Sequence, residues 1–584
     1  MFKCCWDMWA SNGFPKRVLS VCRSHELCCR APLVELHATQ SKRSVVQVFV
    51  DLRVLEDGRV LETDICIVGA GPAGITVANE FNHAATRVCL VESGNLEADS
   101  RIQDLADGEM VGHPEHDLRS SRDRQFGGCT NSWAGACAPM SRSDFEFRPW
   151  INLEGWPLSK RDLDAHYERA QAMLDLGTYC YEPDCWAGDD VELLKLDPKK
   201  LENRIWQLSP RTNFGEIYRA PLGSSTTTTV LLNATATEIL TDEQAGIAKG
   251  VLVRTLDGQS ATILAKFVIL ACGAIDNARL LLLSRRHAPA GLGNGYDLVG
   301  RYFAQHPHVS AASLRTIGPK HRTKGYKDFK RGAYWLRTRI GLSEDAQRQH
   351  GVLNPVATLI NRFISDSLTQ SQSIGYVSLK RVLLDLQHGR VPVNLAAEMA
   401  RIAKDIKGIS VGLVKHLRNQ SGALYIMSEQ FPNPDSRVTL SSRRDALGLE
   451  QARVDWRLLP IDKRSVLVLV QEIQSEFKRL GIGDVEPDDW LTVDDCTWPK
   501  SLAGGHHHMG TTRMSESPKK GVVDAVARVH GTKNLYTAGS SIFPTIGCAN
   551  PTLTIVATSL RLADHLEMQV TKLQAAPLVG PFTW

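Results

Sequence analysis

Two periodicities organise the apolar positions of this chain. Thr63–Val68, Arg87–Val91 and Phe267–Leu270 are short, nearly continuous apolar runs closed by Gly or charged residues, and they predict strands buried on both faces. Leu158–Leu176, residues 460–480, and Thr552–His565 (through Leu553, Val556, Leu560 and Ala563) carry apolar residues three and four apart and predict amphipathic helices. Ser436–Leu440 and Ala452–Leu458 predict two strands flanking the turn-like Arg443–Gly448, and Val230–Leu240 predicts another. Ile374–Leu386 and Asn394–Leu417, rich in Lys and Arg, read as a solvated helical excursion or as a lid or partner surface that shapes access for a bulky substrate. No apolar run approaches the ~18–20 residues that span a bilayer, so no transmembrane helix is predicted.

With 584 residues, 43% hydrophobic and 23% charged, the chain has the balance of an ordinary globular protein with room for two or more structural units. Its net charge of +4 points to no nucleic-acid partner. That excess sits in residues 1–43, where seven basic residues face three acids beside five of the 14 cysteines. This stretch lacks helical or strand periodicity and the ~7–15-residue apolar core of a secretory signal. Residues 1–46 are therefore expected as a disordered leader or a start-site extension. Cys22, His25, Cys28 and Cys29 fit no familiar zinc spacing, and no metal site is expected. Cys66, Cys89 and Cys272 lie in apolar strand-like runs, where Cys acts as a small hydrophobe. Cys180 and Cys185 are close enough to pair. No spacing suggests a disulfide framework, so a reducing, cytoplasmic setting is the default expectation.

Candidate chemistry begins where Thr63–Val68 runs into Gly69-Ala70-Gly71-Pro72-Ala73-Gly74, followed by a helical pattern from Ile75 and a second strand ending on Glu92. This is the βαβ dinucleotide fingerprint in its required context. Gly69, Gly71 and Gly74 allow the tight turn and the approach of backbone to a pyrophosphate, and the helix start offers unpaired N–H groups and a positive dipole. Glu92 is placed to accept hydrogen bonds from the adenosine ribose. NAD and FAD both use such a turn, and three further segments favour FAD. The loop Arg122–Gly135, with Gly127, Gly128, Thr130 and Asn131, suits close contact with a large planar ligand. Val230–Leu240, with Thr237, reads as a strand returning to the nucleotide. Phe267–Arg279 is a buried strand that ends on Gly273 before a Leu-rich helix. Each alone reads as a core strand plus a turn; their joint occurrence in this order favours the flavin nucleotide.

Near the C-terminus, His506-His507-His508 sit in a Gly-flanked loop and Asn550-Pro551-Thr552 opens a helix. An imidazole, titrating near neutrality, suits removal of a hydroxyl proton. The residues alone leave the three histidines equal, although side chains alternate if the loop is extended. Asn550 has two readings: an amide touching a substrate oxygen, or an N-cap with Pro551 at the first helical position.

The Gly69–Gly74 turn, the Gly127–Gly135 loop, Val268–Leu283 and the His507…Asn550-Pro551-Thr552 end resemble the glucose–methanol–choline (GMC) flavoprotein oxidoreductases, over essentially residues 50–570. Trp156-Pro157, Asp297–Phe303 and Pro432–Val438 fit the same family. The chain looks most like the bacterial sugar- and glycoside-oxidising branch, similar to pyranose oxidase and to fructose and glucoside dehydrogenases. The resemblance implies an α/β fold. Residues 60–155, 225–310 and 500–570 would form a discontinuous Rossmann-type FAD-binding domain. Residues 156–224 and 311–499 would form an α+β substrate-binding domain with an antiparallel sheet. The resemblance also selects His507 as general base, three residues before Gly510, gives Asn550 a substrate contact, and adds Gly539, Pro551 and Thr552 to the residues that hold FAD. Some members attach FAD covalently through a His in the Gly-rich loop; Ser132 stands at the matching position, so non-covalent FAD is expected.

The implied reaction is oxidation of the CH–OH group of a sugar or glycoside, with hydride transfer to flavin N5. The electron acceptor would be a quinone, an electron-transfer protein or dioxygen, with a dehydrogenase expected ahead of an oxidase. One rival is a family member with FAD in a structural or non-redox role, as in a lyase or isomerase. A NAD(P)-dependent dehydrogenase explains only residues 63–92, and a non-enzymatic flavin-binding scaffold leaves His507 and Asn550 idle. Glu429 and Gln430 are candidates for sugar-hydroxyl contacts or for a surface role.

Overall fold

The structure is a computed structural model. It describes residues 48–575 apart from residues 83, 114–116, 187, 189–191, 211–212, 317–322, 324, 406–421 and most of 362–394. The expected leader lies outside the described residues, as does most of 374–386; within 394–417, Leu395–Lys404 is helical.

The buried runs build one sheet. Strands β1 (Phe49–Asp51), β7 (Thr228–Leu232), β3 (Val88–Val91), β2 (Arg59–Val68) and β10 (Ser260–Leu270) lie parallel in that order, and β19 (Leu535–Thr537) joins the end of β10. β9 (Ala248–Arg254) and β8 (Thr235–Thr241) continue antiparallel from the start of β10. β2 is largely exposed over Arg59–Glu62 and buried from Thr63 onward, which matches where its apolar run begins. Helix α1 (Pro72–Glu80) follows β2 directly, and the C-terminal helix α5 (Thr552–Ala575) packs on α1 and on α2 (Arg161–Met173). A parallel sheet covered by helices and entered through a Gly-rich β2–α1 turn is the Rossmann-type arrangement.

The single strand expected over Val230–Leu240 is instead two. Asn233 adopts a left-handed conformation (φ 54°), its side chain donates to Asp51, and the chain leaves β7 on one side of the sheet to become β8 on the other. Asn tolerates that conformation better than its apolar neighbours.

A second sheet is antiparallel throughout, in the order β18 (Gly483–Pro487), β11 (His308–Thr316), β15 (Gly422–Ser428), β14 (Pro355–Asn361), β13 (Tyr334–Leu342), β6 (Leu201–Leu208), β5 (Ala136–Cys137), with β12 (Phe329–Arg331) on β13. Its two faces differ because side chains alternate. Val309, Ile340, Ala357, Leu424 and Ile426 pack with Val466, Leu469, Ile473 and Phe477 of helix α4 (Pro460–Arg479) in one apolar core. The opposite face carries His308, Trp206, Arg339, Tyr425 and Met427, which the register places on neighbouring strands. The predicted pair at 436–458 is a hairpin, β16 (Arg437–Arg444) and β17 (Glu450–Trp456), to which β4 (Gly108–Gly112) adds in parallel. The α/β class and its antiparallel companion sheet are thus as expected. Among the described residues no helix is long and apolar enough to cross a membrane.

Candidate active site

His507 meets Asn550 because two loops are tied at both ends. The segment 304–308 bonds to 503–509 through Ala304 with Met509 and His308 with Ala503. His306 and His507 lie between these ties, and their Nδ1 atoms come within 2.9 Å. From the other side, Asn550 Nδ2 stands 3.3 Å from His507 Nε2, and Trp206 Nε1 donates to Asn550 Oδ1 at 3.0 Å. His306 Nε2 reaches the Gly547 carbonyl at 3.0 Å.

The direction of every bond in this chain is fixed by its ends. The Gly547 carbonyl can only accept, so His306 Nε2–H donates and, in the neutral ring, His306 Nδ1 accepts. His507 Nδ1–H is then the donor, and His507 Nε2 carries the lone pair. Trp206 can only donate, so the Asn550 carbonyl faces it and the amide N–H faces His507 Nε2. The result is a neutral imidazole with its basic nitrogen turned towards Asn550. Burial is the main cause that holds His507 well below the ordinary imidazole value, aided by His306, His308, Arg339 and His506. Burial likewise brings His306 down to about 4 and His308 to about 3.

The loop is not extended as the alternation argument assumed. Gly505 and His506 both have positive φ (64° and 59°), so the chain turns there and His506 is exposed, while the buried His508 packs near Phe303. The side chain of Asn550 makes its hydrogen bonds to Trp206 and His507.

Below these residues lies a buried polar network. Arg148 and Glu429, both fully buried, form a bidentate pair at 2.7 and 2.5 Å. Glu429 also accepts from the backbone N–H of Asn354, the Asn354 side chain donates to Asp144, and Arg204 donates to Asn354 Oδ1 and to the Cys548 sulfur. Burial, with Glu429 nearby, lifts Asp144 to about 6. The network grips residues 547–548, next to Asn550; a Cβ on Gly547 (φ 53°) would collide with the Asp144 carboxylate. Glu429 is thus committed to Arg148. Gln430 is also fully buried, accepting from Gln305 N–H and Trp456 Nε1 and donating to the Arg457 carbonyl. Neither is the sugar contact or surface residue considered from sequence, because burial requires each polar atom to be satisfied within the protein.

The candidate nucleotide residues converge on one end of the first sheet. α1 starts at Gly71 without a side-chain cap, Gly69 has φ 104°, and Gly128 is so close that its Cβ would stand 2.8 Å from Gly71 Cα. Gly539, at the end of β19, lies against Ala73, while Gly273 caps the start of helix α3 (Ala274–Leu283) with open space beside it. Glu92 is buried at the end of β3 and accepts backbone N–H from Ala70 (2.9 Å) and Gly94 (2.8 Å). Asn131 Oδ1 is buried without a hydrogen-bond partner among the described residues. Uncapped helix amides, a cradle closed to side chains and an unmatched acceptor fit a dinucleotide. Thr130 and Thr237 have their hydroxyls bonded to Gly127 O and Leu252 O. Ser132 is exposed and donates to Asp123 at 2.5 Å.

Sequence reasoning missed His306, Trp206 and the pair Ser93–Arg124 beside Glu92. A second histidine pair, His306-Pro307-His308, was a visible cue for the first; Trp206, one indole in a strand, carried none. Cys180 and Cys185, left open above, form a disulfide.

Compared with known proteins, residues 220–308 and 432–559 match the N- and C-terminal models described as GMC oxidoreductase. A 2-methyl-1,2-propanediol dehydrogenase of Mycolicibacterium austroafricanum is 24% identical over 86% of this chain and 95% of its own length. A 6'''-hydroxyparomomycin C oxidase of Streptomyces lividus is 23% identical over 86% and 92%. The fructose dehydrogenase large subunit of Gluconobacter japonicus is 25% identical, the match spanning 53% of this chain and about half (48%) of that subunit. Among solved structures a formate oxidase aligns over 89% of this chain and all of its own at a TM-score of 0.53 and 16% identity, a likeness of fold. Two domain models matched in order on a Rossmann-type sheet with an antiparallel companion place this chain in the GMC oxidoreductase family.

Proposed function

We propose that this protein is an FAD-dependent oxidoreductase that oxidises the CH–OH group of a sugar or glycoside, with His507 as the proton acceptor. The observation that carries this reading is the hydrogen-bond chain from Gly547 to Trp206, whose polarity leaves His507 Nε2 unprotonated beside Asn550. FAD, when bound, supplies the hydride acceptor. His507 Nε2 takes the hydroxyl proton as the carbon gives up its hydride, so the alcohol leaves as a carbonyl compound. The second N–H of Asn550, for which no partner stands among the described residues, can orient the substrate oxygen. The Trp206 bond holds that amide in place, and His306 fixes the tautomer of the base, as a hydrogen bond at the far ring nitrogen does for catalytic histidines.

The residues that would hold FAD are the Gly69–Gly74 turn and the start of α1 for the pyrophosphate, Glu92 for the ribose, and Gly127, Gly128, Asn131, Gly273, Gly539, Pro551 and Thr552 around them. Gly74→Ala, whose new Cβ would collide with the Gly69 carbonyl, is expected to abolish retention of flavin, read as flavin absorbance per purified chain. Held without a bond to Ser132, the FAD is expected to pass wholly into the supernatant on acid precipitation.

The reading is tested by mixing holoenzyme with a panel of sugars, glycosides and simple alcohols without oxygen and following flavin bleaching. Bound flavin that no alcohol reduces would sink it. Reoxidation by dioxygen with peroxide formation would identify an oxidase; reoxidation by quinones or dyes alone would identify the dehydrogenase we favour.

A further inference from the structure

Arg339 is a buried cation with no ion pair to an acid among the described residues. It is 6% exposed, lies on β13 and faces away from α4, on the sheet surface shared with His308, Trp206 and Met427. Its guanidinium stacks on the Trp206 indole, 4.4 Å from the ring centroid, the same indole that holds Asn550. Its Nη1 reaches only the Met427 sulfur at 3.4 Å, and its Nε is buried with no partner among the described residues. The nearby carboxylate of Asp328 is taken by Arg337, at 2.6 and 2.8 Å. Of the two guanidinium groups, Arg337 is the one that bonds this carboxylate. Burial, with Arg337 next, lowers Arg339 to about 9, which leaves it charged at neutral pH. Taking an ion out of water without a partner is costly, and stacking on one indole offsets that cost only in part.

We propose that Arg339 is a substrate-specificity residue: it receives an anionic group, a carboxylate or phosphate, carried by the alcohol whose hydroxyl is presented to His507. The substrate class is then a hydroxy acid, a sugar acid or a sugar phosphate. A planar guanidinium with open N–H groups matches such oxyanions. The same charge works against an ammonium-bearing sugar and against capture of a metal cation by the neighbouring histidines, although ligand atoms of His306, His308 and His507 lie within 4.8 Å of one another. The inference rests on the reading of His507 as the base, and it names the substrate for that site.

The test uses holoenzyme and matched pairs that differ in one anionic group: glucuronate and glucose, glycerate and glycerol, glucose 6-phosphate and glucose. Binding is measured by calorimetry without oxygen, and flavin bleaching is followed separately. At least one anion is expected to bind about ten-fold or more tighter than its neutral partner, with weakening at high salt; which one does so separates carboxylate from phosphate. Arg339→Gln should erase that preference, so that anion and neutral partner bind within about two-fold of each other, and Arg339→Lys should keep part of it. No preference for any anion in the unaltered enzyme, or a preference that Arg339→Gln leaves intact, overturns the proposal. Neutral sugars that bleach the flavin with no anion preference would overturn it and spare the oxidoreductase reading. Arg339-dependent anion binding without bleaching by any alcohol would do the reverse.

Discussion

Replacing His507 by alanine is expected to slow reduction of the bound flavin by substrate about 10²–10⁴-fold, the range for a positioned acid–base group, with flavin content unchanged. Rapid mixing without oxygen isolates this half-reaction from reoxidation. The pH profile carries the same claim. An imidazole whose pKa is depressed by burial is a competent base above its lowered value and fails only as pH falls through that value. The reduction rate should therefore stay flat as pH is lowered past 6.5, the ordinary imidazole value, and decline only in more acid solution. A decline centred at 6.5 would mean that the base is a solvated group. A His507→Ala enzyme reduced as fast as the unaltered one would remove the residue from the mechanism.

Glu429→Ala is expected to cost about 3–5 kcal/mol of stability, the range for removing one partner of a buried ion pair. It leaves Arg148 charged in a site with no exposure, and Asp144, 4.0 Å away, is too distant to replace a bidentate partner. Replacing both members, Arg148→Met with Glu429→Leu, should recover much of the loss, because two apolar groups need no solvation. Denaturant unfolding followed by tryptophan fluorescence and by flavin release reads both. Equal losses in the single and double variants would show that the pair acts through shape alone. The network also holds residues 547–548, so the single variant should weaken activity before it unfolds.

The two halves of the site differ in how far the sequence reveals them. The nucleotide half is local. The run Thr63–Val68, the turn Gly69–Gly74 and Glu92 fall within one βαβ unit, where a strand, a turn and a helix follow from nearest neighbours, and the structure has them as β2, the turn, α1 and the end of β3. Val230–Leu240 reads as one strand because both sides of Asn233 carry strand-forming residues, and a single left-handed residue divides it. Glu429 and Gln430 were misjudged because burial is not local: nothing in their neighbourhood says that Arg148, 281 residues away, will arrive.

By itself the sequence determined the α/β class, the Gly-rich turn and the place of Glu92; the proposal of His507 among three histidines rests on family likeness. The tertiary structure alone decided what surrounds His507. His306 comes from a segment 201 residues distant, Asn550 from 43 residues on, and Trp206 lies 344 residues from the Asn550 it holds. It also decided that Arg339 is buried with no ion pair to an acid among the described residues. Hydrogen-bond polarity and desolvation are properties of neighbours in space. Chain order fixes them only once the two sheets have brought those neighbours together.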